Sequence, residues 1–114
     1  MKTSLKPKNK KYIYALGRRK EAKARVRLFR GKGENVVNSQ PIGKYFSGKI
    51  AEIAYLKPFA ITETLGKFYI TAKVVGSGMV GQLGAVIHGT ARALDKENHD
   101  LYHSSLKKAG LLTR

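Results

Sequence analysis

Residues 16–30 run L-G-R-R-K-E-A-K-A-R-V-R-L-F-R, and no other stretch restricts the fold so strongly. Ala22, Ala24, Val26 and Leu28 alternate with Lys23, Arg25 and Arg27, a period of two. In a β-strand that period sends one set to a core and the other to the opposite face. Ala, Lys and Arg are good helix formers, but wound as a helix these cations would scatter around the circumference and leave no apolar stripe. The expectation is a strand with one apolar face and one cationic row. Ahead of it, Gly17, Arg18, Arg19 and Lys20 read as a turn carrying three more positive charges. Side chains on one strand face lie about 7 Å apart, comparable to successive phosphates along a nucleic-acid strand. A merely solvated face normally mixes signs. Polyanion binding is the role expected of Arg18, Arg19, Lys20, Lys23, Arg25 and Arg27.

The totals agree. A chain of 114 residues, 42% hydrophobic, is one domain's worth and long enough to bury a core. Twenty-three Lys and Arg against seven acids leave a formal charge of +16, which points to nucleic acid or an anionic membrane. The charge is uneven: residues 1–33 carry +12 and residues 34–114 only +4. No apolar run approaches the roughly 18 residues of a membrane span, and the cations fall on strand and turn rather than on a helical face, so no membrane partner is expected. Cysteine is absent, which excludes a disulfide framework and thiolate chemistry. Residues 1–11 hold five lysines and little that is apolar, and are expected to form a mobile basic arm. Residues 12–114 are expected to form a single α+β domain that binds nucleic acid, which the family resemblance below narrows to RNA.

Within that domain, residues 12–16 read as a short strand ending at Gly17, and residues 35–38 as another after a Gly31-Lys32-Gly33 hairpin connection. Three strands in quick succession imply an antiparallel meander. Ser39 suits a helix cap and Pro41 a first helical turn, with Ile42, Tyr45 and Phe46 on one face. After Gly48 a second helix over residues 49–57 would set Ile50, Ile53 and Ala54 inward and stop at Pro58. Residues 68–75 are a strand rich in aromatic and β-branched side chains. A glycine loop over residues 76–81 leads to a helix over residues 82–97 with Leu83, Val86, Ile87, Thr90, Ala91 and Leu94 at core spacing. Ala85, Gly89 and Ala93 would let that helix lie close against the sheet. A last helix spans residues 100–109, with Gly110 where an αL cap belongs.

Gly76-Ser77-Gly78-Met79-Val80-Gly81 matches G-x-G-x-x-G between a strand and a helix, the context of dinucleotide binding. A Rossmann unit, however, needs a second parallel strand ending in an acid after the helix, and here Asp100 begins another helix. The phosphate loop of nucleotide hydrolases fails as well, since Gln82 and Leu83 stand where Lys and Ser/Thr are required. Two readings stay open for Gly76, Ser77, Gly78 and Gly81: a structural turn, or free amides and a positive dipole end presented to a phosphate. His99 and His103 are four apart with only Asp100 nearby, and read as a surface pair rather than a metal site. The acids form no catalytic pair and no serine sits in a nucleophile elbow, so neither catalysis nor a cofactor is expected. Arg92 would either pair with an acid or face RNA. Tyr12, Tyr14, Phe68 and Tyr69 could stack on bases, but each sits inside a strand pattern that suits the core.

G-R-R-K-E-A-K-A-R-V at residues 17–26, G-S-G-M-V-G-Q-L-G-A-V-I-H-G-T-A-R-A-L at residues 76–94 and K-K-A-G-L-L-T-R at residues 107–114 together resemble the family of the ninth protein of the small ribosomal subunit. The resemblance implies an α+β fold with an antiparallel sheet of about four strands covered by helices. It implies binding to small-subunit ribosomal RNA beside neighbouring ribosomal proteins, a role in translation and no enzymatic activity. It places the protein on ribosomes of the cytoplasm, with an organellar ribosome left open. By the same matching the residue 17–20 turn, the glycine loop, Gln82, His88 and Arg92 look RNA-facing. Ser77 stands in place of the middle glycine of the family's three-glycine run, so a positive φ there would be strained. Ile87 stands where an arginine often precedes the His-Gly pair. The family's basic tail, which reaches transfer RNA, would follow Arg114, so the transfer-RNA contact is not carried over.

Overall fold

The computed structural model describes residues 11–113, and the expected arm at residues 1–11 lies outside them but for Lys11, which is exposed. The alternating stretch forms strand β2 (Ala22–Arg30), with Ala22, Ala24, Val26 and Leu28 buried and Lys23, Arg25 and Arg27 exposed. β1 (Ile13–Arg19) pairs antiparallel with it across a two-residue turn, Lys20-Glu21. Gly17, Arg18 and Arg19 are therefore strand residues and not turn residues.

Gly17 serves a close contact. A Cβ at this position would stand 1.9 Å from the carbonyl oxygen of Ala85 and 2.4 Å from the nitrogen of Gly89, both in helix α3 (Met79–Glu97). On the helix side, a Cβ at Gly89 would meet Cγ2 of Val26 at 2.6 Å. The small residues at 85, 89 and 93 thus bring α3 down onto β1 and β2, as their four-residue recurrence predicts. Val86, Ala91 and Leu94 join the sheet side chains in one core.

The sheet is mixed, with five strands in the order β1-β2-β5-β3-β4. This corrects the expected four-stranded antiparallel sheet and its meander. β5 (Phe68–Val75) lies between β2 and β3 (Val36–Val37), antiparallel to the first and parallel to the second. A two-residue strand is a weak guide to its own partner. Here the flanking asparagines extend the ladder: Asn35 Oδ1 accepts from Ile70 N, and Asn38 Oδ1 accepts from Val74 N while its Nδ2 donates to Val74 O. β4 (Gln40–Pro41) returns antiparallel to β3 through Asn38 and Ser39, both at positive φ, so Ser39 is a turn residue and not the helix cap expected of it.

Pro41 itself caps the single turn α1 (Ile42–Tyr45). α2 (Lys49–Ile61) continues through Pro58 instead of stopping there, because Pro58 and Phe59 are buried in the core and Thr62 closes the last turn, its N and Oγ1 both donating to the Pro58 carbonyl. Burial of Tyr55, Pro58 and Phe59 sets the inward face of α2. Ile50 and Ile53, expected inside, are 87% and 64% exposed. α3 begins at Met79, three residues earlier than expected, and α4 (His99–Lys108) follows a break at Asn98, whose side chain accepts from Leu101 N. Gly110 adopts φ +75, the αL position foreseen for it.

Candidate nucleic-acid interface

The face of the sheet turned away from α3 carries the cations. Along β2 it presents Lys23, Arg25 and Arg27, and β5 adds Lys73, directly opposite Arg25. Arg18 of β1 stands opposite Lys23. Like charges facing each other across two strands are mutually destabilising. Among the described residues no ion pair reaches Arg18, Lys23, Arg25 or Lys73. Arg27 lies over the ring of Tyr12, 5.2 Å from its centroid, and Tyr12, Phe29 and Tyr69 continue the face as an aromatic ladder with centroids 5.5 and 5.1 Å apart. Phe29 is buried beneath its two neighbours, while Tyr12 is half exposed. The result is a cationic field bounded by rings, with no internal countercharge.

β1 is an edge strand, and side chains of α3 hold its free edge. His88, Arg92 and Lys96 recur every four residues and so rise along one line of the helix, in step with alternate residues of a strand. Arg18 N donates to His88 Nδ1 at 3.2 Å, Arg92 donates to Leu16 O at 2.7 Å and Lys96 to Tyr14 O at 2.8 Å. Backbone groups that would otherwise template another strand are thereby covered. Because Nδ1 of His88 accepts, Nε2 carries the proton and faces Leu112 O at 3.2 Å. His88 is thus a buried connector between β1, α3 and the C-terminal segment. Among the described residues Arg92 pairs with no acid: it bonds the edge carbonyl while its side chain stays exposed. Arg18, His88, Arg92 and Leu112 line a recess of about 390 Å³ at this edge.

The glycine loop meets the β1–β2 turn at one end of the sheet. A Cβ at Gly76 would lie 2.5 Å from the carbonyl oxygen of Glu21, and one at Gly84 would strike the Arg19 side chain at 2.6 Å. Lys20, Arg19 and the start of α3 therefore share a surface. Gly78 is the N-cap and supplies no side-chain acceptor, which leaves the amides of the first turn of α3 without a cap. Gln82 braces the loop from behind: its Nε2 donates to Gly76 O, its Oε1 accepts from Tyr45 OH, and Asn38 Nδ2 donates to that same hydroxyl. Gly81 lies inside the first turn of α3 and is buried.

Ser77 has φ +55, so the position does require the left-handed region. A serine there is strained by about 1 kcal/mol or more, of which glycine's extra unfolded-state freedom would take back a part. Ser77→Gly is expected to raise unfolding stability by roughly 0.5–1 kcal/mol, measured by urea titration; a loss of stability would show that the serine hydroxyl does more than tolerate the turn.

Sequence reasoning missed Lys73 and Lys96. The first was signalled by alternation in β5, and the second by its place eight residues after His88.

The family model described as Ribosomal protein S9/S16 matches residues 17–114. The small ribosomal subunit protein uS9 of Rickettsia africae (strain ESF-5) is 47% identical over 102 residues, covering 90% of this chain and 64% of that protein. That of Rickettsia canadensis (strain McKiel) is 46% identical over 102 residues, 90% of this chain and 63% of its own. The uS9 of Maridesulfovibrio salexigens is 46% identical over 106 residues, 93% of this chain and 81% of its own. The chain thus spans a little under two thirds of the length of the Rickettsia relatives.

Proposed function

Since the chain belongs to the ribosomal protein S9/S16 family, we propose that it is a structural component of the small ribosomal subunit that docks on folded ribosomal RNA through the outer face of its sheet. The observation that carries this reading is the acid-free row of Lys23, Arg25, Arg27 and Lys73, in which Arg25 and Lys73 face each other and want an external anion. Arg18 prolongs the row to the end of the sheet, and Arg19, on the opposite face, and Lys20 in the turn bring further charge to the start of α3, where the amides around Gly76, Ser77, Gly78 and its first turn offer a second phosphate anchor. Gln82, His88 and Arg92 act mainly by holding that anchor and the β1 edge in shape, with the exposed guanidinium of Arg92 beside the recess as a further phosphate contact. The role is architectural, in ribosomes of the cytoplasm and beside other small-subunit proteins, and no catalytic step is assigned to it.

Phosphate contact suits folded RNA, whose deep, narrow major groove denies side chains the base edges. If about seven phosphates are neutralised, a fourfold rise in salt should weaken binding to small-subunit ribosomal RNA by roughly three to four decades. An isotherm indifferent to salt would overturn the proposal. A free-standing nucleic-acid-binding module would share that salt dependence, so sedimentation separates the two: the tagged chain should travel with the small subunit at physiological salt, and its confinement to the top of the gradient would favour the module.

A further inference from the structure

The α3–α4 junction carries a cluster unrelated to the cationic face. Asp95 lies in the last turns of α3, and His99 and His103 lie on the first turns of α4. Asn98, at φ −155 and ψ 88, breaks the helix between them. The break folds the two histidines back over one carboxylate oxygen: Asp95 Oδ1 is 3.1 Å from His99 Nδ1 and 2.9 Å from His103 Nδ1. The imidazoles stack with centroids 4.2 Å apart, and the ligating atoms of all three residues lie within 4.8 Å of one another. The partner is Asp95, across the break, and not Asp100, the acid nearest the pair in sequence.

We propose that Asp95, His99 and His103 form a binding site for a transition-metal dication, Zn²⁺ foremost. Bonds of about 2.0–2.2 Å to nitrogen and oxygen in a tetrahedral arrangement place ligand atoms about 3.3 Å apart. To admit the ion the two nitrogens retreat from Oδ1 by a few tenths of an ångström, and the imidazoles turn to bring ligand atoms now spread over up to 4.8 Å toward that spacing. Two imidazoles and one carboxylate select zinc-like ions over magnesium or calcium, which take oxygen ligands. Side-chain exposures of 65% for His99 and 36% for His103 leave the fourth position open to water. In a chain of formal charge +16 the site also sits where the acids concentrate, since Asp95, Glu97 and Asp100 are three of only seven. On binding, the ion replaces whatever proton each Nδ1 holds against Asp95, so the neutral rings keep their protons on Nε2. The ion would clamp the start of α4 to the end of α3, a role independent of RNA binding.

The test titrates the full chain, stripped by a chelator, with Zn²⁺ alone in a non-coordinating buffer, by calorimetry and by NMR of the imidazole nitrogens. The chain has three histidines, so the signals resolve the site. One equivalent is expected to bind, shifting the resonances of His99 and His103 and leaving His88 in place. Asp95→Asn and His103→Gln should each weaken binding at least tenfold, on the order of what loss of a metal's outer-shell support alone costs. The site is disproved by absent saturable binding, by shifts confined to His88, or by affinity unchanged in both variants. Should a variant fail to fold, the resonances of the unaltered chain decide the matter.

Discussion

Gly17→Ala is expected to destabilise the protein by about 3 kcal/mol or more, at the upper end of overpacking costs, and to lower Tm by roughly 10 °C. The added methyl would sit 1.9 Å from Ala85 O and 2.4 Å from Gly89 N, and both obstacles are backbone. No rotamer change relieves such a clash; either α3 lifts from β1 or the strand bends. Lifting α3 also loosens the bonds from His88, Arg92 and Lys96 to the β1 edge, because they depend on the same separation. Gly43→Ala is the matched control: its methyl would find only Tyr55 OH, at 3.6 Å, an ordinary contact, and it lies in the helical turn α1. That variant should be neutral or slightly stabilising. Comparable stability of the two variants in urea unfolding would mean that the close crossing of strand and helix is not what Gly17 serves.

The difference between a turn glycine and a crossing glycine was not legible in the sequence, because Gly17 precedes three cations in either case and only the partner helix distinguishes them. Alternation in β2 was legible because every second residue from Ala22 to Leu28 is apolar, and one face of a sheet must be buried whatever lies against it. Aromatic and β-branched content found β5, and the four-residue recurrence of small residues found the close packing of α3. It failed at β3, where two valines carry too little pattern to name a neighbour and the register is set by the side chains of Asn35 and Asn38. It failed at Pro58, where burial of the last turn of α2 outweighs the proline's local preference. In the candidate interface the sequence marked the cations of β2 but not their opposition to Lys73, which exists only once β5 is known to pair with β2. Asp95 escaped notice because its distance from His103 in sequence, eight residues, becomes a contact only through the break at Asn98.

Replacing the cations of β2 together, as Lys23→Gln, Arg25→Gln and Arg27→Gln, is expected to cut the salt dependence of RNA binding sharply. Each lost phosphate contact removes roughly 0.7–0.9 from the logarithmic slope, so the triple variant should fall about 2–3 below the unaltered chain. The loss should be similar for unrelated folded RNAs, because phosphate contacts position and carry no base code. Stability separates this from a general loss of fold. The substitutions remove the repulsion of Arg25 with Lys73 and of Lys23 with Arg18, cross-strand pairs worth roughly 0.2–1 kcal/mol each. The variant should therefore unfold at the same urea concentration or a higher one while binding far more weakly. A protein that tolerates facing like charges on its own sheet gains from them only when an anion lies across both. An unchanged slope in a fully folded variant would remove that anion, and with it the reason for keeping the cations there.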